Sequence, residues 1–146
     1  MKTAVVYYSK HHGNTKKLLD AAFGADDRVA LFDVTEDPDA DLSAFDRIGF
    51  ASGIYFSSFP KQLLSFAETR LPEGKDVFYI YTHGAPFTPL PKAIRRIAKA
   101  KRCREIGRFH CRGFDTFGPF RLIGGIAKKH PNEKDIAAAV TFVRTL

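Results

Sequence analysis

The chain has 146 residues, 45% of them hydrophobic, the size and apolar content of one domain built around one core. Its 23 Lys+Arg against 16 Asp+Glu give a formal charge of +7, a balance suited to an anionic ligand, an acidic partner or nucleic acid. No run of about 18 apolar residues is present, and Met1-Lys2 leads into a strand-like run rather than a secretory leader, so a soluble cytoplasmic protein without membrane partners is expected. Cys103 and Cys111 match neither a metal-ligand pair nor a redox pair in spacing, and both are read as free thiols.

In chain order, Thr3 to Tyr8 is a nearly continuous β-branched and aromatic run, the pattern of a strand buried on both faces. A polar loop ending in Gly13-Asn14-Thr15 follows, and then Leu18, Leu19, Ala22 and Phe23 recur at helical spacing until Gly24 stops them. Arg28 to Asp33 predicts a second strand and Asp46 to Ser52 a third, with one short turn expected between them. Pro60 to Arg70 predicts a helix, Val77 to Tyr81 a fourth strand, and Pro91 to Lys101 a helix that begins at a proline. Ile106 to Cys111 carries Arg and His and reads as an edge strand with one face wet. Gly113 to Pro131 is irregular, and Asn132 with Asp135 three residues on caps a last helix reaching about Arg144. Strands alternating with helices predict an α/β chain with a parallel sheet covered on both faces, in a single domain.

In an open parallel sheet, ligands bind beyond the carboxyl ends of the strands. After the first strand, donors from Ser9, Lys10, His11, His12, Gly13, Asn14 and Thr15 would surround an anion at a helix N-terminus, where free N–H groups and the helix dipole favour negative charge. The rival reading of the same residues is a polar turn in which Asn14 or Thr15 merely caps the helix.

The run Val6 to Thr15 closely resembles the phosphate loop of flavodoxins, which follows the first strand and ends in Gly-Asn-Thr. It departs from that pattern by one extra residue and by histidines where hydroxyl residues are customary. The resemblance implies a flavodoxin-like three-layer sandwich with a five-stranded parallel sheet in the order 2-1-3-4-5, and flavin mononucleotide (FMN) as cofactor. It also implies that Ser52, Gly53, Ile54, Tyr55, Phe56 and Ser57 lie along the flavin ring, with Tyr55 or Phe56 in contact with it. Ser57 looks like the position at which flavodoxins often carry a glycine whose peptide turns toward the reduced ring. A serine there should disfavour the one-electron-reduced form, because turning would place it at positive φ. Thr82, His83, Gly84, Ala85 and Phe87 resemble the third loop, which meets the pyrimidine edge, while Phe87 serves equally well as a hydrophobic anchor for the turn.

The family implies electron transfer to a redox partner protein, and the positive charge implies an acidic docking face on that partner. An FMN-dependent flavin, quinone or protoporphyrinogen-type oxidoreductase is the alternative. A flavin-free regulatory or nucleic-acid-binding module rests only on the basic stretch from Arg95 to Arg112, which reads more simply as a solvated face. No side-chain nucleophile or general base stands out in the sequence.

Overall fold

The computed structural model describes residues 1–10, 13–85, 88–113 and 129–146, and the statements below concern those residues. The order is β1 (Thr3–Tyr8), α1 (Asn14–Phe23), β2 (Val29–Asp33), β3 (Arg47–Gly53), α2 (Lys61–Arg70), β4 (Asp76–His83), α3 (Lys92–Ala100), β5 (Arg104–Arg112) and α4 (Glu133–Arg144). The strands form one parallel sheet in the order β2-β1-β3-β4-β5, as expected.

Side-chain alternation along the central strands builds two cores. Ala4 and Val6 of β1, Ile48 and Phe50 of β3 and Val77, Tyr79 and Tyr81 of β4 face one side, where Leu63 and Phe66 of α2 and Ile94 of α3 cover them. Val5 and Tyr7, Ala51, and Phe78 and Ile80 face the other, under Leu18, Leu19 and Phe23 of α1 and Ala139 of α4. Each fully buried large apolar side chain contributes roughly 1.5–3 kcal/mol, which is why these strands read as continuous apolar runs rather than as alternating ones.

The connection from β2 to β3 contains turns and no helix, and Val34 and Leu42 fill the place a helix would take on that face. Asn132 and Asp135 form the expected capping box: the Asn132 side chain accepts from the Asp135 N–H at 3.0 Å, and the Asp135 carboxylate accepts from the Asn132 N–H at 2.8 Å. Gly24 does end α1, but in right-handed conformation, with its N–H donating to the Asp20 carbonyl. β4 and β5 each start earlier or run further than their apolar runs predict, because sheet pairing carries the backbone on through polar residues.

Candidate functional site at the carboxyl end of the sheet

The loops after β1, β3, β4 and β5 converge at one end of the sheet. Ser9 and Lys10 leave β1, and His11 and His12 lie outside the described residues. Gly13 sits at the N-terminus of α1 in left-handed conformation (φ 65°, ψ 19°), and a Cβ there would meet nothing within 4 Å. The Ser9 hydroxyl accepts the Lys16 N–H at 3.1 Å across the loop. The residue that caps α1 is therefore Ser9, while Asn14 and Thr15 occupy the first helical turn itself. No acidic residue stands in that turn, so nothing there opposes an anion.

Thr15 is buried, and its hydroxyl lies 3.4 Å from that of Thr82, long for a bond between hydroxyls. Asn14 packs against Gly113, where a Cβ would come within 2.6 Å of the Asn14 Nδ2. Gly113 in turn donates its N–H to the His83 carbonyl at 2.9 Å. The loops after β1, β4 and β5 are thus physically joined. Phe114 to Gly118, the start of the irregular segment after β5, lie outside the described residues, as does Phe87.

In the second loop, Ser52 and Gly53 belong to the end of β3, and the Ile54 N–H donates to the Thr82 carbonyl at 3.1 Å. The Ser52 hydroxyl is buried with no hydrogen-bond partner among the described residues. Tyr55 and Ser58 exchange backbone hydrogen bonds of 2.8 and 3.0 Å around a two-residue turn, and both residues between them are left-handed, Phe56 at φ 48° and Ser57 at φ 61°. Turns of this shape usually take Asn-Gly. The expectation that Ser57 would reach positive φ only on turning is therefore corrected: the strain is already present in this conformation. Tyr55 meets Tyr8 edge to face at 5.9 Å and 88°, whereas Phe56 is 82% exposed at the tip.

Thr82 and His83, read as loop, are the last buried residues of β4. His83 Nδ1 contacts the Ala85 carbonyl oxygen in a short hydrogen bond, and its Nε2 lies 2.9 Å from Nδ1 of His110. The His110 ring stacks on Tyr81, with centroids 4.9 Å apart and 18° between planes. Arg112 donates to the Gly84 carbonyl from Nε at 3.0 Å and from Nη2 at 2.7 Å. Burial holds His83 below its ordinary pKa, and partial desolvation of the His110 ring lowers it too, with the nearby Arg108 adding to the effect. Cys103 and Cys111 are free, and burial pushes the Cys111 thiol up to about 12, leaving it protonated and unreactive.

Tyr8, His110 and Arg112 are the site residues that sequence reasoning missed. Arg112 and His110 sit two apart on one strand face beside the third loop, but in sequence they merge with a basic run read as solvated surface.

Comparison with known proteins agrees with this fold. The family model described as flavodoxin domain matches residues 5–86. An uncharacterized protein of Methanocaldococcus jannaschii is 35% identical over the whole chain and 98% of its own length. Among solved structures, a short-chain flavodoxin associated with a non-canonical PDU bacterial microcompartment superposes with a TM-score of 0.65 at 17% identity, covering all of this chain and 97% of the other. A Fusobacterium nucleatum flavodoxin mutant bound to flavin mononucleotide gives 0.65 at 16% identity, covering 99% and 94%. The Trp repressor binding protein of Bacillus subtilis gives 0.65 at 19% identity, covering 99% and 97%.

Proposed function

Because the chain belongs to the flavodoxin family, we propose that it binds FMN at the carboxyl end of its sheet and passes electrons to a partner protein. The observation that carries this reading is the start of α1: a first turn without acidic residues, in which Ser9 takes the Lys16 N–H, entered through a left-handed Gly13 with open space around it. A terminal phosphate fits such a place, since orphan N–H groups and the helix dipole both favour a dianion. The residues present fit the cofactor elsewhere too. Ser52 offers a buried hydroxyl that needs a partner, and Tyr8 and Tyr55 meet edge to face at the same end of the sheet.

Ser9, Gly13, Asn14 and Thr15 would hold the phosphate, Tyr55 and Phe56 the ring, and Gly84 and Ala85 its polar edge. When bound, FMN supplies the redox chemistry, and the protein supplies binding, orientation and field. Among the described residues, both ring nitrogens of His83 are already engaged, so His83 serves as structure rather than as an acid or base.

The direction of charge supports an acidic partner. On α3, Lys92, Arg95, Arg96 and Lys99 are exposed and make no ion pair among the described residues, whereas Arg104 and Arg108 on β5 are matched by Asp76 and Glu105. No helix among the described residues is long and apolar enough to cross a membrane.

Calorimetry with FMN, FAD and riboflavin tests the cofactor. FMN should bind tightest, and FAD binding more tightly would overturn the reading. A steady-state assay with NAD(P)H and quinones tests the role, since a carrier turns over negligibly without a reductase, while robust turnover would establish the oxidoreductase alternative.

A further inference from the structure

We propose that Arg112 and the His83–His110 pair are positioning residues for the flavin ring, holding both carbonyl oxygens of the Gly84–Ala85 turn so that the Ala85 N–H is presented as a donor. The proposal rests on the flavin reading above, because it assigns the third loop to the ring. Arg112 takes the Gly84 oxygen with two guanidinium nitrogens, and His83 takes the Ala85 oxygen. The Gly84–Ala85 peptide is trans, so its N–H points opposite to its carbonyl. Anchoring that carbonyl on Arg112 therefore turns the Ala85 N–H away from the guanidinium, and it has no acceptor among the described residues. An acceptor atom on the polar edge of the ring would find a donor whose direction is set in advance, which spares the ordering that a mobile loop would require.

The histidine pair adds a proton count. To donate to the Ala85 oxygen, His83 must carry its hydrogen on Nδ1, which in the neutral ring leaves Nε2 bare. That bare nitrogen accepts from His110 Nδ1–H, so neutral His110 has a bare Nε2. His110 is exposed, and one proton can add there without breaking either contact. A second would set N–H against N–H at the 2.9 Å junction, so the doubly protonated pair must separate. Among the described residues, the charged groups acting on the pair are Arg108 and Arg112 on β5 and Asp135 on α4, which is itself bonded to His130 at 2.7 Å. Tyr81 covers one face of His110.

Riboflavin is the probe, because it lacks the phosphate, whose own ionisation would confuse a pH titration of FMN. Arg112→Met should weaken riboflavin and FMN alike by about tenfold. Wild-type riboflavin affinity should stay level from pH 8 through about 6.5, since the first proton breaks neither contact, and fall only at lower pH as the second enters. His110→Phe, which keeps the stack on Tyr81, should flatten that acid limb. Without ligand, nitrogen-15 spectra should show the neutral His83 with its hydrogen on Nδ1, and amide exchange at Ala85 should quicken in Arg112→Met. An Nε2–H tautomer of His83, or an Arg112→Met chain with unchanged riboflavin affinity, overturns the proposal. A wild-type chain that binds neither flavin overturns the assignment of the loop to the ring, and with it this role. The tautomer and exchange measurements would then show whether the latch itself is real.

Discussion

The first and third loops lie side by side, touching through Thr15 and Thr82, yet they are held by opposite means. The first is fixed by local backbone: a left-handed glycine, a helix start and a serine seven residues before the N–H it caps. The third is fixed by side chains from another strand, with Arg112 reaching 28 residues back to Gly84 and His110 reaching His83. A loop of the first kind is written in a short stretch of sequence. A loop of the second kind exists only once the sheet has formed.

The sharpest way to separate the two is to damage each and compare FMN with riboflavin. Asn14→Ala with Thr15→Ala should weaken FMN by tenfold to a hundredfold or more, charge-assisted hydrogen bonds contributing about 1.5–3 kcal/mol each, and should leave riboflavin much less affected. Equal losses for both ligands would place the phosphate elsewhere. Gly113→Ala sits between the loops. The added methyl would displace the Asn14 side chain, and overpacking of this kind costs about 1–3 kcal/mol. FMN should weaken by about tenfold through Asn14, more than riboflavin does, and a selective effect on riboflavin would mean that the strain passes to the third loop instead.

Acid should expose the third loop first. His83 has a folded pKa below its unfolded value of about 6.5, so its contribution to stability is fully present above about pH 6.5 and is lost as pH falls through the lower folded value. The urea midpoint of the ligand-free protein should therefore hold level above that pH and fall beneath it, and His83→Gln should shrink the fall. A midpoint insensitive to acid in this range would contradict the buried, neutral state of His83. The smallest effect is expected at the second loop. Ser57→Gly relieves a left-handed residue while adding backbone freedom to the unfolded chain, and the balance should be a gain of less than about 1 kcal/mol. A loss on urea denaturation would show that the Ser57 side chain contributes contacts of its own.

The same contrast explains what could be read in advance. Buried strands such as Thr3–Tyr8 and Asp76–His83 announce themselves because both of their faces are covered, and the helix start at Asn132 announces itself through local capping chemistry. The turn from β1 into α1 was legible as a strand-to-helix junction, with Gly13 at the helix start. Ser9 as the cap was not, because a serine hydroxyl reaching across a loop leaves no mark on the spacing of residues. Arg112 and His110 were hidden for a different reason. Their meaning depends on which carbonyl oxygens lie opposite them across β4 and β5, and a register between strands is a property of pairing rather than of either segment alone.

β5 is the last strand of the sheet, nine residues long, and no strand among the described residues pairs with its outer side. Such an edge invites a neighbour to continue the sheet, and natural proteins discourage that with charge and with bulges. Both devices are present here. The register breaks opposite Val77 and Phe78, leaving Ile106 unpaired, and Arg104 and Arg108 stand exposed along the strand. Two copies meeting edge to edge would have to desolvate these arginines and their Asp76 and Glu105 partners, so the charged residues of the stretch disfavour pairing of this edge with a second copy.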